Sequence, residues 1–136
     1  MRGESRFDRE SPDAAASAGR RVDKGREGSP GLRLGGIVID AVDLDRLARF
    51  WSALLDLRVT RREEDWVSLG PGLALQRVPE PKISKNRVHL DLVADDFARA
   101  VVRAAELGAT PAGEMHEDLW QVWRDPEGNE FCICVS

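Results

Sequence analysis

"NRVHLDLVADDFARAVVRAAELG", residues Asn86 to Gly108, changes its period half-way along. Up to Leu92 it alternates: Val88, Leu90 and Leu92 share one face of a strand, and His89 and Asp91 share the other. At Asp95 and Asp96 the alternation stops. Either carboxylate can accept the orphan N–H groups of a helix N-terminus. Gly108 closes the segment with the residue favoured just past a helix C-terminus. The reading is a strand running straight into a helix. If Val88, Leu90 and Leu92 pack beneath that helix, His89 and Asp91 point to the opposite side of the sheet.

The residues on either side repeat the pattern. Upstream, "LGGIVIDAV" is strand-like, and "DLDRLARFWSALLDL" follows from Asp43, a good N-cap. Leu44, Leu47, Ala48, Trp51, Leu54 and Leu55 lie on one helical stripe. Three strands are expected next, in "RVTRREE", "DWVSLG" and "GLALQRV", the last two separated by the tight Gly70–Gly72 turn. Downstream of Gly108, "TPAGEM", "LWQVWRD" and "EFCICV" are three more, the last pair joined by the turn "PEGN". Each half reads strand–helix–strand–strand–strand, with Asp43 and Asp95 at equivalent points and an offset of 52 residues. One such unit cannot bury its own apolar face, so the pair is expected to assemble. The expected fold is α+β: two βαβββ repeats forming a cupped mixed sheet with the helices packed outside.

Length and charge bound the rest. A chain of 136 residues accommodates one ordinary domain. Residues 1–32 are rich in Gly, Ser, Ala, Arg and Asp and read as a disordered head, because they offer little apolar surface to offset the cost of ordering. Residues 33–136 form the domain, in halves of about 34–79 and 86–136. Up to Arg33 there are eight Lys/Arg against six Asp/Glu, and beyond it twelve against eighteen. So acidic a domain is not expected to bind nucleic acid through a broad basic surface. No apolar run spans a bilayer and no secretory leader is legible, so a cytoplasmic location is expected. Cys132 and Cys134, at i and i+2, read as reduced thiols, and a lone C-x-C falls short of a structural zinc site.

Strand alternation puts Gln76, His89, Asp91, Glu130, Cys132 and Cys134 on the cup side. Trp120 and Trp123 are both candidate aromatic walls, although their odd spacing lets only one face inward; Trp66 is a third. His116, in the polar "GEMHEDL", reads as a loop residue. His89 is the candidate general acid/base, with Asp91 near enough to set its tautomer.

The duplicated βαβββ order, "FWSALL", the "QRVPEPK…KNRVHLDL" passage and "DPEGNEFCI" together resemble the vicinal oxygen chelate superfamily, in its glyoxalase-like branch. The resemblance covers roughly Leu34 to Val135. It implies a cup in which a histidine on the first strand and a glutamate on the last strand of each half hold a divalent cation. Matched position by position, His89 falls on the second-half histidine, Cys132 on the second-half glutamate and Gln76 on the first-half glutamate, while no histidine stands near Gly36 to Val38. The remnant positions Gln76, His89 and Cys132 suit neither Mg²⁺ nor Mn²⁺, so no metal cofactor is expected. A zinc site would need Cys132, Cys134 and His89 to converge. The function implied is binding of a small organic molecule by Gln76, His89, Asp91, Trp120, Trp123 and Cys132, as in bleomycin-resistance relatives, with the pocket in a homodimer. The alternative is a lyase or isomerase with His89 as general acid/base.

Overall fold

The computed structural model describes residues 30–136; the expected head lies largely outside the described residues. The chain runs β1 (Ile37–Ala41), α1 (Leu44–Leu55), β2 (Arg58–Glu63), β3 (Trp66–Gly70) and β4 (Leu73–Arg77). It then runs β5 (Leu90–Ala94), α2 (Phe97–Glu106), β6 (Thr110–Pro111), β7 (Trp120–Arg124) and β8 (Glu130–Val135). The two βαβββ repeats make two four-stranded mixed sheets, ordered β1-β4-β3-β2 and β5-β8-β7-β6. In each, the first strand pairs parallel with the last and the other pairings are antiparallel.

Local chemistry explains the elements. Asp43 caps α1, its side chain accepting from the Arg46 N–H, and Asp96 caps α2 in the same way through Arg99. The second cap is therefore Asp96, not Asp95, and the repeat offset is 53 residues. The same offset takes Ile37, Ile39 and Ala41 of β1 onto Leu90, Leu92 and Ala94 of β5. Gly108 follows α2 at φ +108°, a left-handed backbone that a side chain would strain.

One core joins the halves. Leu44, Leu47, Ala48 and Trp51 of α1 pack on Val67, Leu69, Leu73 and Leu75 of the first sheet, and the cluster continues to Phe131, Ile133 and Trp123 of the second. Phe50, Trp51 and Phe131 form its aromatic centre, with the Trp51 and Phe131 rings 5.0 Å apart in an edge-on arrangement. The halves are unequal: α1 buries five residues completely and α2 only Ala104.

The strand expected from Arg87 starts only at Leu90, and Val88 is 73% exposed rather than packed under α2. Register gives the reason. Leu90 pairs with Phe131, so a strand reaching further back would run past Glu130, where β8 begins. The Glu130 carboxylate instead accepts the Asn86 N–H at 2.9 Å and the Lys82 ammonium at 2.8 Å, which pulls the connector off the ladder. "TPAGEM" shrinks to the two-residue β6 for a similar reason: its later residues make a loop in which His116 bridges to Trp120. No described helix is long and apolar enough to cross a membrane.

Candidate functional site

A cavity of about 270 Å³ lies between β1 and the segment that leads into β5. Ile37, Val38, Ile39 and Asp40 line it from the first half; Asn86 to Leu90 and Asn129 to Phe131 line it from the second, with Trp51 between. Successive residues of β1 take part, so the strand offers its unpaired edge as well as its open face. The apolar groups lie next to Asp40, Asn86, His89, Asn129 and Glu130, a mixture suited to a small organic ligand.

The turn "DPEGN" reaches this cavity through Asn129. Asp125 is buried, and its carboxylate accepts from the Glu127 and Asn129 N–H groups, the Asn129 side-chain amide and the Trp51 indole N–H at 3.1 Å. Burial raises its pKa; the hydrogen bonds from Asn129, Trp51 and Glu127 pull the other way without cancelling it. Glu127 reaches back across the molecule to accept the Val42 and Asp43 N–H groups at 2.7 and 2.6 Å, where its charge meets the start of α1. The motif thus fastens the second half to the first. For Glu130, burial favours the neutral acid, but Lys82 and the Asn86 N–H outweigh it and hold the carboxyl below its ordinary range.

His89 lines the cavity, and Asp91 and Cys132 continue from it along the open face of the second sheet. Asp91 and Cys132 are direct cross-strand partners, and the His89 Nε2 lies 3.1 Å from Asp91 Oδ1. His89 and Asp91 are exposed, whereas Cys132 is buried. Burial, and after it the Asp91 carboxylate, raise the Cys132 thiol pKa, and the same two causes raise that of Cys134. Such a thiol is a poor nucleophile, because it is the thiolate that attacks. Moreover, Asp91 rather than His89 is its immediate partner, so no Cys–His pair is made.

The other candidates separate. Trp120 pairs with Cys134 and stands on the open face, but its ring is stacked 5.3 Å from the His116 ring. Trp123 pairs with Phe131 and is buried in the core, its indole donating to Gln121, so it is not a cup residue. Trp66, 4% exposed, donates to the Ser68 hydroxyl. Gln76 is on the open face of the first sheet between Asp40 and Trp66, and does not line the cavity at His89. Asn86, Glu130 and Trp51 line the cavity without having been marked as ligand residues. The contacts of Glu130 with Asn86 and Lys82 span 44 and 48 residues, a separation that leaves no local pattern.

A glyoxalase-like domain model matches residues 36–134, most of the chain. The chain belongs to the glyoxalase-like domain family. Solved structures share its fold. One is a glyoxalase/bleomycin resistance protein/dioxygenase family enzyme from Burkholderia phytofirmans (19% identity, TM-score 0.64, covering 76% of this chain and 98% of that one). Two others are the fosfomycin resistance protein FosX of Mesorhizobium loti (18%, 0.60, 78% and 91%) and the glyoxalase I of Leishmania major (18%, 0.61, 76% and 86%). At such identities the likeness is one of fold. No curated protein matches the chain.

The repeat register tests whether this glyoxalase-like domain could hold the divalent cation that the resemblance to the vicinal oxygen chelate superfamily implies. With Ile37 equivalent to Leu90, His89 corresponds to Gly36. Ile37 pairs with Leu73 and Leu90 with Phe131, so Cys132 corresponds to Ala74, and Gln76 corresponds to Cys134 rather than Cys132. The first-half positions therefore carry no ligand atom. A four-ligand site shared between the halves for a hard cation does not fit these residues.

Proposed function

We propose that this glyoxalase-like domain binds a small organic molecule in the cavity between β1 and β5, without the hard divalent cation implied by its superfamily. The observation that carries this reading is the cavity itself, lined by apolar groups together with His89, Asp40 and Glu130. A drug- or metabolite-sized ligand would bury its apolar part against Ile37, Val38 and Leu90 and orient through His89. Sequestration is the corresponding role, in keeping with its bleomycin- and fosfomycin-resistance structural relatives. The reading includes a homodimer, as the family resemblance implies; light scattering after gel filtration measures it.

One observation favours a second reading. The His89–Asp91 pair has the partners of a general base whose tautomer is held by a carboxylate. In a lyase or isomerase of this kind His89 would move a proton and Asp91 would keep the ring oriented.

The test is a thermal-shift screen of chelator-treated protein against planar and oxygen-rich metabolites, since a ligand of the folded state raises its melting temperature. His89→Ala then separates the readings. A sequestering protein changes only its affinity, whereas an enzyme loses turnover by about 100-fold or more. A screen that yields no ligand, with the cavity residues intact, refutes the proposal.

A further inference from the structure

Between the halves the chain crosses as a connector without helix or strand, residues 79–89. Both of its ends are fixed: the Val78 N–H donates to the Ala41 carbonyl, and Leu90 enters the ladder opposite Phe131. In between, every residue is exposed except Lys82 and Asn86. Those two are the residues that Glu130 holds, through the Lys82 ammonium at 2.8 Å, the Asn86 N–H at 2.9 Å and the Asn86 side-chain amide. Among the described residues, no other group hydrogen-bonds with residues 79–88. We propose that this connector is a strap that opens and closes the ligand cavity, with Glu130 as its latch.

The placement carries the inference. Asn86, Arg87 and Val88 stand in the wall of the cavity, so the strap cannot shift without opening that wall. Lys82 to Lys85 arch over a second hollow of about 270 Å³, whose other side is Asp40, Glu127 and Asn129. The middle of the strap therefore rests on open space and not on the core. Ile83 and Val88 are 92% and 73% exposed, so lifting the strap gives up little apolar burial. Segments with few buried apolar contacts open at low free energy. The resistance to opening falls instead on one carboxylate, whose charged hydrogen bonds are stronger than neutral ones. Glu130 itself starts β8 and pairs with Arg124 of β7, so its half of the latch stays with the sheet.

The consequence is kinetic. A ligand enters while the latch is parted and is enclosed when it reforms, so Glu130 sets the rate of exchange and not the choice of ligand. The inference rests on the reading of this cavity as a ligand site, but the latch can be tested with no ligand present.

The experiment uses the full chain. Relaxation-dispersion NMR, which reads µs–ms exchange, is expected to show one process shared by the amides of residues 82–88, with β3, β4 and β8 quiet. Glu130→Gln keeps an acceptor for the Asn86 N–H but removes the charge, and should raise the open fraction about tenfold. Lys82→Met, a change outside the core, should act in the same direction and carries the test if Glu130→Gln folds poorly. Lys85→Ala, in a strap residue that Glu130 does not hold, should change nothing. Stopped-flow uptake of anilinonaphthalene sulfonate, a small apolar fluorophore, should quicken in both latch variants. A strap that stays rigid in the wild type and both variants, an equal effect of Lys85→Ala, or unchanged dye uptake overturns the assignment. A strap that opens as described, in a protein for which the thermal-shift screen finds no ligand, refutes the proposed function of the cavity and supports the latch.

Discussion

Replacement of Asp125 by Ala should loosen the seam between the halves, and the loss can be worked out donor by donor. The carboxylate accepts from the indole N–H of Trp51, which is 1% exposed, and from the N–H groups of Glu127 and Asn129 and the Asn129 side-chain amide, which are half-exposed and can turn to water. Without it, the indole donor is left unpaired in the core, at a cost of about 1–3 kcal/mol. Water can reach the two backbone donors, so each adds only about 0.5 kcal/mol. Release of a buried charge offsets part of the total. The net loss is about 2–3 kcal/mol, a large share of the roughly 5–15 kcal/mol that a domain has in all. Urea unfolding followed by tryptophan fluorescence should show a midpoint lower by about 1–2 M at unchanged slope. Combined with Trp51→Phe, a double-mutant cycle should return a coupling of about 1 kcal/mol. If Asp125→Ala unfolds within about 0.5 kcal/mol of the wild type, the carboxylate does not hold the seam.

Glu130 has a folded-state pKa below its ordinary value, so its contribution is complete above that ordinary value and is lost as pH falls through the lowered one. Glu130→Gln should therefore lower the melting temperature near neutral pH, and the gap to the wild type should narrow in acid. Glu127→Ala removes the acceptor of the Val42 and Asp43 N–H groups. A loss of about 1 kcal/mol and faster hydrogen exchange at those two amides are expected. In metal-free protein, Cys132 should be alkylated by iodoacetamide more slowly than a free cysteine at neutral pH, and Asp91→Asn should speed it, since burial and the Asp91 charge both disfavour the thiolate. Equal rates in the two proteins would remove Asp91 from that role.

The repeat and the fold class were legible because they rest on local rules. The alternation of Ile37–Ala41 and Leu90–Ala94, the caps at Asp43 and Asp96, and the turns at Gly70–Gly72 and "PEGN" each express a preference of a few neighbouring residues, and each recurs in the second half. The alternation of "EFCICV" likewise put Cys132 and Cys134 on one face. Val88 misled for an equally physical reason: alternation describes a strand only while a neighbouring strand lasts, and β8 starts at Glu130. The roles of Asp125 and Glu127 were hidden because their partners, Trp51 and the start of α1, lie 74 to 85 residues away.

The sequence alone therefore determined two βαβββ units, the faces of their strands and the kinds of side chain on the open side. Backbone periodicity and capping act over a few residues, and the chain states them directly. Only the tertiary structure decided which of those side chains meet. It sent Trp123 to the core, set Gln76 apart from His89, and brought the polar atoms of His89, Asp91 and Cys132 within 4.8 Å of one another, because the register between strands and the fit of one half against the other arise from contacts that no local pattern encodes.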